Sequence, residues 1–242
     1  PAGKGLAHYF EDILKNVSSF DDYCVYGHID YAARYIKDPS FEFHYSDYSD
    51  LLDTILKTII DHVKGWAEAN QWRIPEHFTK EWIAELDCNQ DKPDDPFKPY
   101  GATPGHGIEW ARLIAQWALS TYPNDPDAAK EYLTVSQNLY NRAVADGWNA
   151  DGAPGIVYTT DWDGKPVVHD RMHWTLAEAI NTSSVLYHVT GNQRYADDYA
   201  QFMQYLDEKV LDHAHGSWFH QLDQNNELLG TVWPGKSDLY HP

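Results

Sequence analysis

A chain of 242 residues is long enough for one full-sized domain with a large core. Its net charge of −19 argues against nucleic acid, which binds through basic patches, and reads as a solvated acidic surface. No apolar run is long enough to span a membrane, no basic leader precedes an apolar run, and two cysteines cannot staple a domain of this size, so a reducing, cytoplasmic setting is expected.

Taken in order, Leu6, Phe10, Ile13, Leu14 and Val17 follow helical spacing, and a weaker helix covers Tyr23 to Ile36 before Pro39. A third helix carries one continuous stripe from Leu51 through Ile55, Ile59 and Val63 to Trp66, with Ser46 or Ser49 as its cap. Residues 71–85 (QWRIPEHFTKEWIAE) alternate and hold two tryptophans, the texture of short strands or an extended loop; residues 89–99 are a polar, proline-rich loop. A helix follows from about Gly105 to Ser120. Asp125-Pro126 opens the next, with the aspartate as cap and proline at the first position, and Asp146-Gly147 closes it.

Strands are expected over Ile156–Thr160 and Lys165–Val168, joined by a turn at Asp163-Gly164. Thr175-x-x-Glu178 has the form of a capping box for a helix with Leu176, Ile180, Leu186 and Val189 inside, stopped by Gly191. Tyr195, Tyr199, Phe202, Leu206 and Val210 make another helix. Trp218–Leu222 and Leu228–Val232 read as a hairpin around residues 224–226, and Ser237 reads as the cap of a last helix.

Chemistry concentrates at residues 101–110, GATPGHGIEW. Pro104 fixes the backbone where a helix can begin, and Gly105 and Gly107 are expected to leave open space beside His106. His106 and Glu109, three apart, project from one face of the first turn, while Ile108, Leu113, Ile114 and Trp117 line another. A polar pair at a helix mouth suits a small ligand; the plainer alternative is that His106 caps or packs. Helices also alternate three times with aromatic extended segments: QWRIPEHFTKEW, PGIVYTTDWDG and GSWFHQLDQNN. That rhythm belongs to an array of helical hairpins whose loops gather into one pocket.

Five stretches carry a resemblance. WRIPEHF (72–78), PFKPYGATPGHGIEWARL (96–113), VYTTDWDGKPVVHDRMHWTLAEA (157–179), GSWFHQLD (216–223) and VWPGKSDLYH (232–241) occur in the order expected of the N-acylglucosamine 2-epimerase superfamily, in its aldose–ketose isomerase branch of mannose and sulfoquinovose isomerases. The chain therefore resembles an all-α protein, an (α/α) toroid of helical hairpins with short β-hairpins in its loops and a sugar site at its mouth. The resemblance implies that His106 and His241 are the catalytic acid and base, with Glu109, Trp174 and Glu178 in the sugar pocket and His173, Arg73, Trp233 and Asp238 as neighbours. No metal or organic cofactor is implied, and the partner is a monosaccharide, with no nucleic acid or membrane.

Residues 1–45 match nothing in that pattern. The family's first half, with an arginine and aromatics for the sugar, has no counterpart, and neither has its Asn-x-x-His motif for ring opening; GHIDYAARY, with His28, is the remnant to consider. The chain thus reads as a single (α/α)-barrel-type domain, a C-terminal portion forming a partial barrel. Seven helices and the start of an eighth cannot close a ring of twelve, so exposed apolar faces are expected to meet another copy or the missing N-terminal half.

Moving a carbonyl between C1 and C2 of a sugar takes a proton off one carbon and delivers one to the other through a cis-enediol. Two histidines suffice for this without a metal. The helix dipole at His106 is expected to keep the ring neutral as a base. Three competing readings are a 2-epimerase, a glycosidase using Glu109 and Glu178 as its carboxylate pair, and a non-catalytic sugar-binding remnant. Glu178 also has a purely structural reading, as the third position of its capping box, and Trp174 as core. His213 with His215 and His169 with His173 lack the cysteines or HExxH pattern of zinc sites and read as surface residues.

Overall fold

The computed structural model describes the backbone of residues 49–232 and 235–236, and side chains from residue 56 onward in those ranges. The expected helices at 6–17 and 23–36, His28, Trp233, Asp238, His241 and the cap at Ser237 lie outside the described residues. The chain divides into two compact units, residues 1–61 and 62–242. The second unit is described below.

Helices dominate the described residues, and strands there are only two or three residues long, as the stripe pattern predicts. Helix α1 spans Ser49–Ala69 and crosses the unit boundary. Within the second unit, Val63 and Ala67 are its buried positions. Helix α2 (Pro104–Thr121) follows a 34-residue stretch that contains no long element, then α3 (Pro126–Gly147), α4 (His173–Thr190) and α5 (Gln193–Tyr205). A single π turn, Leu206–Val210, extends α5.

Helix α2 is the hub, packed against both α3 and α4. Its Ile108, Ala111, Ile114, Ala115 and Ala118 are fully buried, whereas Leu113, placed on the apolar face by the sequence reading, is 39% exposed. Burying an Ile or Leu side chain contributes roughly 1.5–3 kcal/mol, and the alanines between them let the neighbouring backbones approach. Two hydroxyls lock the contacts. Ser136 Oγ on α3 donates to the Ala111 carbonyl (2.5 Å), and Thr182 Oγ1 on α4 donates to the Ile108 carbonyl (3.0 Å).

The helix ends mostly follow the sequence signals. Asp125 Oδ1 accepts from the Ala128 N–H (3.1 Å), with Pro126 at the first position of α3. Gly191, at φ 64°, ends α4 by donating to the Tyr187 carbonyl. The capping box at Thr175 is the exception. The cap lies three residues earlier, at Met172, and helix α4 begins at His173. Thr175 Oγ1 is already inside the first turn and donates to the Met172 carbonyl (2.8 Å). The box is absent because Glu178 is turned inward, as described below.

Strands β1 (Thr159–Thr160) and β2 (Pro166–Val168) form the expected hairpin, and Asp161 closes its turn by accepting from Asp163 and Lys165. Residue Ala102 pairs with Thr160 through both backbone hydrogen bonds (2.9 Å each), so this hairpin is tied to the chain two residues ahead of α2. The second hairpin differs from the sequence reading. Strand β4 (Gln221–Leu222) takes β3 (Arg171–Met172) as its antiparallel partner. The 228–232 segment joins β4 without a regular ladder, through the Leu222–Leu228 bridge, the Leu229 N–H to Gln221 carbonyl bond, and bonds of the Gln221 side chain with Thr231 and Val232.

Candidate active site

His106 sits in the first turn of α2, the third residue of that helix. Its neighbours come from three places. The first is the loop after α1. That helix ends in two left-handed residues, Gln71 and Trp72, which turn the chain back so that Trp72 N–H meets the Ala67 carbonyl. Phe78 then packs against Trp66 with its ring tilted by 41° (centroids 4.3 Å apart), and Trp82 lies nearly parallel to Trp66 at 6.0 Å. His77 is held near the Pro99 carbonyl (3.3 Å). With its neighbour so fixed, Glu76 presents Oε1 to His106 Nδ1 at 2.8 Å.

The second neighbour is Trp174, at the start of α4, whose ring lies 4.8 Å from the His106 ring at 35°. The third is Tyr158, just before β1, edge-on to Trp174 at 6.3 Å. Burial, with the carboxylates Glu76 and Asp170 nearby, pushes the Tyr158 phenol up to about 12, so it stays protonated across the neutral range.

The glycines beside His106 do not leave space, as the sequence reading expects. A Cβ on Gly105 would lie 2.6 Å from Thr175 Cγ2 and 2.7 Å from the Trp174 ring, and one on Gly107 would lie 3.1 Å from Ala143 Cβ. They permit close helix approach. Gly105 in particular lets Trp174 reach the His106 ring.

The electrostatics of His106 also correct the sequence reading. Burial acts to lower its pKa, but Glu76, by charge and hydrogen bond, together with Glu109 and Glu178, outweighs burial and raises it. A full carboxylate charge at 2.8 Å outweighs the half-charge of a helix N-terminus. Burial likewise works against the Glu76 charge, yet His106 and the Thr103 side chain hold that carboxyl below its ordinary value. An ionised carboxylate can only accept, so Nδ1 carries the proton donated to Glu76. In the neutral ring this leaves Nε2 as the basic nitrogen. His106 keeps 38% of its side-chain surface open, against 19% for Glu76. The arrangement is therefore a base held and tuned from behind, with its ring partly open to a ligand.

Other expected site residues fall in different places. Glu109 is half-buried and acts on His106 through its charge. Glu178, 4% exposed at its side chain, takes a forked ion pair from Arg112 on α2 at 2.8 and 2.9 Å. That pair, rather than a cap, explains its inward position. His173 is buried, with its N–H donating to the His220 carbonyl (3.0 Å) and its ring 4.7 Å from the His220 ring. Arg73 is 4% exposed at its side chain and committed to structure. Its Nε pairs with Asp146 at 2.7 Å, and Nη1 donates to the Trp162 carbonyl at 3.0 Å. It thus ties the loop after α1 to the end of α3 and to the β1–β2 turn.

Glu76 and Arg112 are the residues that the sequence reading missed. Glu76 lies 30 positions from His106 in a loop without regular spacing, so only the Pro-Glu-His triplet in WRIPEHF marked it. Arg112 is one and a half turns after His106, on a helix read for its apolar stripe. Among the described residues, no group of three or more His, Cys, Asp or Glu is placed to hold a metal ion.

An array of helical hairpins, with a histidine at a helix mouth under an aromatic ring, is the architecture of the (α/α) toroid class. Solved structures support that class. A crystal structure of D-mannose isomerase superposes with a TM-score of 0.65 at 25% identity, covering 86% of this chain and 49% of that one. Cellobiose 2-epimerase from Bacillus thermoamylovorans B4167 shares the fold at a TM-score of 0.57 and 17% identity, covering 76% of this chain and 43% of that one.

The chain belongs to the N-acylglucosamine 2-epimerase (GlcNAc 2-epimerase) family, which it matches over residues 42–242. It is 41% identical over 190 residues to a D-mannose isomerase of Pseudomonas cannabina pv. alisalensis, covering 78% of this chain and 46% of that protein. It is 42% identical over 176 residues to one of Thermobifida fusca, covering 72% of this chain and 42% of that protein. The chain spans less than half the length of these curated relatives.

Proposed function

We propose that this chain carries the proton-transfer half of an aldose–ketose isomerase that interconverts a mannose-type aldose and a fructose-type ketose. The observation that carries the reading is the Glu76–His106 pair beneath Trp174: a carboxylate-held imidazole with Nε2 free of that bond. A base of this kind removes the C2 proton of the open-chain aldose while O1 gains a proton, giving a cis-enediol. Loss of the O2 proton and delivery of a proton to C1 then gives the ketose. His106 and His241 are assigned as the pair that does this, flanking C1–C2. Trp174 offers a flat apolar face to the sugar carbons, and its tilt over His106 limits where C2 can lie. Glu109 and Glu178 surround the imidazole with negative charge, which favours its protonated form once it has taken the proton.

Side chains alone supply this chemistry, so no cofactor is assigned. Identity above 40% to two proteins named D-mannose isomerase supports the choice of mannose. Leu113, Leu119 and Tyr187 stay 39%, 40% and 44% exposed, which supports packing against further hairpins, from a second copy or from a missing N-terminal half. A cytoplasmic location belongs to the same reading, on the two cysteines.

The test is product analysis with mannose. Fructose supports the proposal. Glucose without a ketose makes the chain an epimerase instead, and binding without turnover makes it a sugar-binding scaffold.

A further inference from the structure

Tyr158 is fixed by its backbone on both sides. Its flanking residues Val157 and Thr159 are fully buried. The Val157 N–H donates to the Gly147 carbonyl at the end of α3, and the Tyr158 N–H donates to the Val168 carbonyl on β2, both at 3.0 Å. Two residues on, Thr160 is paired with Ala102, four residues ahead of His106. Side chains alternate along an extended segment, so with 157 and 159 turned into the core, Tyr158 is turned the other way. Its ring meets Trp174 edge-on, and Trp174 lies against His106. One frame therefore carries the phenol and the imidazole.

Tyr158 is half-buried, yet its hydroxyl makes no hydrogen bond among the described residues, and its oxygen is not among the polar atoms sealed from solvent. The carboxylates around His106 can only accept. Of the hydroxyl and cationic donors described there, Thr103 serves Glu76 and Arg112 is forked onto Glu178, which leaves the Tyr158 O–H. Burial and the Glu76 and Asp170 charges keep that donor protonated at neutral pH.

Proton removal from C2 creates a demand at the neighbouring oxygen. As His106 Nε2 takes the C2 proton, the C2–H electron pair becomes the C1=C2 bond and the carbonyl pair moves onto O1. Glu76, Glu109 and Glu178 already surround the imidazole with negative charge, so a negative oxygen beside it needs a donor. We propose that Tyr158 donates a hydrogen bond to O1 and holds the enediolate charge there while keeping its own proton. O1 and O2 are neighbours in the cis form, so the proton that O1 finally gains is the one that O2 gives up. This role rests on the isomerase reading above.

Tyr158→Phe removes the donor and keeps the ring against Trp174. The hydroxyl bonds to no described residue, so Tm should stay at the wild-type value. With mannose as substrate, kcat should fall by about 10²–10³-fold, the range for one lost oxyanion donor, with KM held within about threefold. A mimic of the enediolate gives a readout without turnover. The hydroxamate of D-arabinonic acid places its two oxygens where O1 and O2 stand. In calorimetry Tyr158→Phe should bind it about tenfold more weakly or worse, while binding of mannitol changes by less than about threefold.

A wild-type kcat in Tyr158→Phe overturns the proposal. So does a raised KM with kcat unchanged, which is the mark of a donor used equally before and during the reaction. If the wild-type chain does not turn mannose over, the isomerase reading fails, and the hydroxamate still decides Tyr158. Weaker binding in Tyr158→Phe keeps the donor; equal binding by both proteins, or binding by neither, overturns it.

Discussion

Glu76→Gln removes one charge and almost no volume, and it isolates what the carboxylate does for His106. The glutamine can still accept from Nδ1 through its amide oxygen, so the tautomer and ring position are expected to survive. What is lost is the charge at 2.8 Å. A hydrogen bond to a charged group contributes about 1.5–3 kcal/mol. The low end applies here, since His106 is 38% exposed and water screens the pair. Loss of that charge removes the largest influence raising the imidazole, so the His106 pKa should fall.

The sign is fixed by direction. His106 is raised in the folded chain, so its share of stability is present below the ordinary imidazole value of 6.5 and is lost as pH rises through the raised value. Glu76 is lowered, so its share is present above the ordinary 4.5 and is lost as pH falls through the depressed value. Glu76→Gln should therefore flatten the pH dependence of Tm on both sides of that window. The acid limb of kcat/KM should move to lower pH, because the base becomes neutral earlier. Its plateau should drop by roughly tenfold as the imidazole becomes less basic. Following the His106 Cε1 proton by NMR titration gives the pKa directly. An unchanged His106 titration in Glu76→Gln would refute the reasoning, whatever happened to the rate.

Two packing predictions follow from the same site. Arg112→Ala strips the forked partner from a carboxylate that is 4% exposed and should lower stability by about 3–5 kcal/mol in denaturant melts, with Arg112→Lys intermediate because an ammonium cannot fork. A loss below about 1 kcal/mol, the scale of an exposed pair, would show that water already screens this one. Gly105→Ala places a Cβ 2.6–2.8 Å from Thr175 and Trp174 and should cost about 1–3 kcal/mol, with a change in near-ultraviolet circular dichroism as Trp174 leaves His106. Wild-type stability there would mean that α2 and α4 have room to separate.

The helices were legible because their apolar stripes are long: α2 and α3 start and stop within a few residues of the Pro, Asp and Gly signals, and the stripe from Tyr195 to Val210 runs through α5 and its π turn. Helix α4 was legible as a helix but not as a surface. Its buried face includes Thr175, Glu178, Thr182 and Ser183, polar residues satisfied by helix α2 or by their own turn, and a pattern read for apolar spacing passes over them. The same blindness produced the capping box at Glu178, since the spacing of a cap and that of an inward ion pair are identical in sequence. Gly105 and Gly107 marked the right place for the wrong reason, because a missing Cβ signals close approach as readily as open space. The histidine could be read locally, but the carboxylate that tunes it could not. Glu76 reaches His106 because left-handed residues at Gln71 and Trp72 and the Trp66–Phe78–Trp82 aromatic cluster fold the loop back, and no periodicity records that.

Solvent deuterium incorporation at the exchanging sugar carbon tests the central claim most directly, with mannose in heavy water and NMR detection. The wild-type chain should place deuterium at C2 of mannose or C1 of fructose. His106→Asn should do so slower by about 10²-fold or more, the scale of a lost general base, while still binding the sugar. Exchange at the wild-type rate in His106→Asn would make this histidine a structural residue and contradict the account.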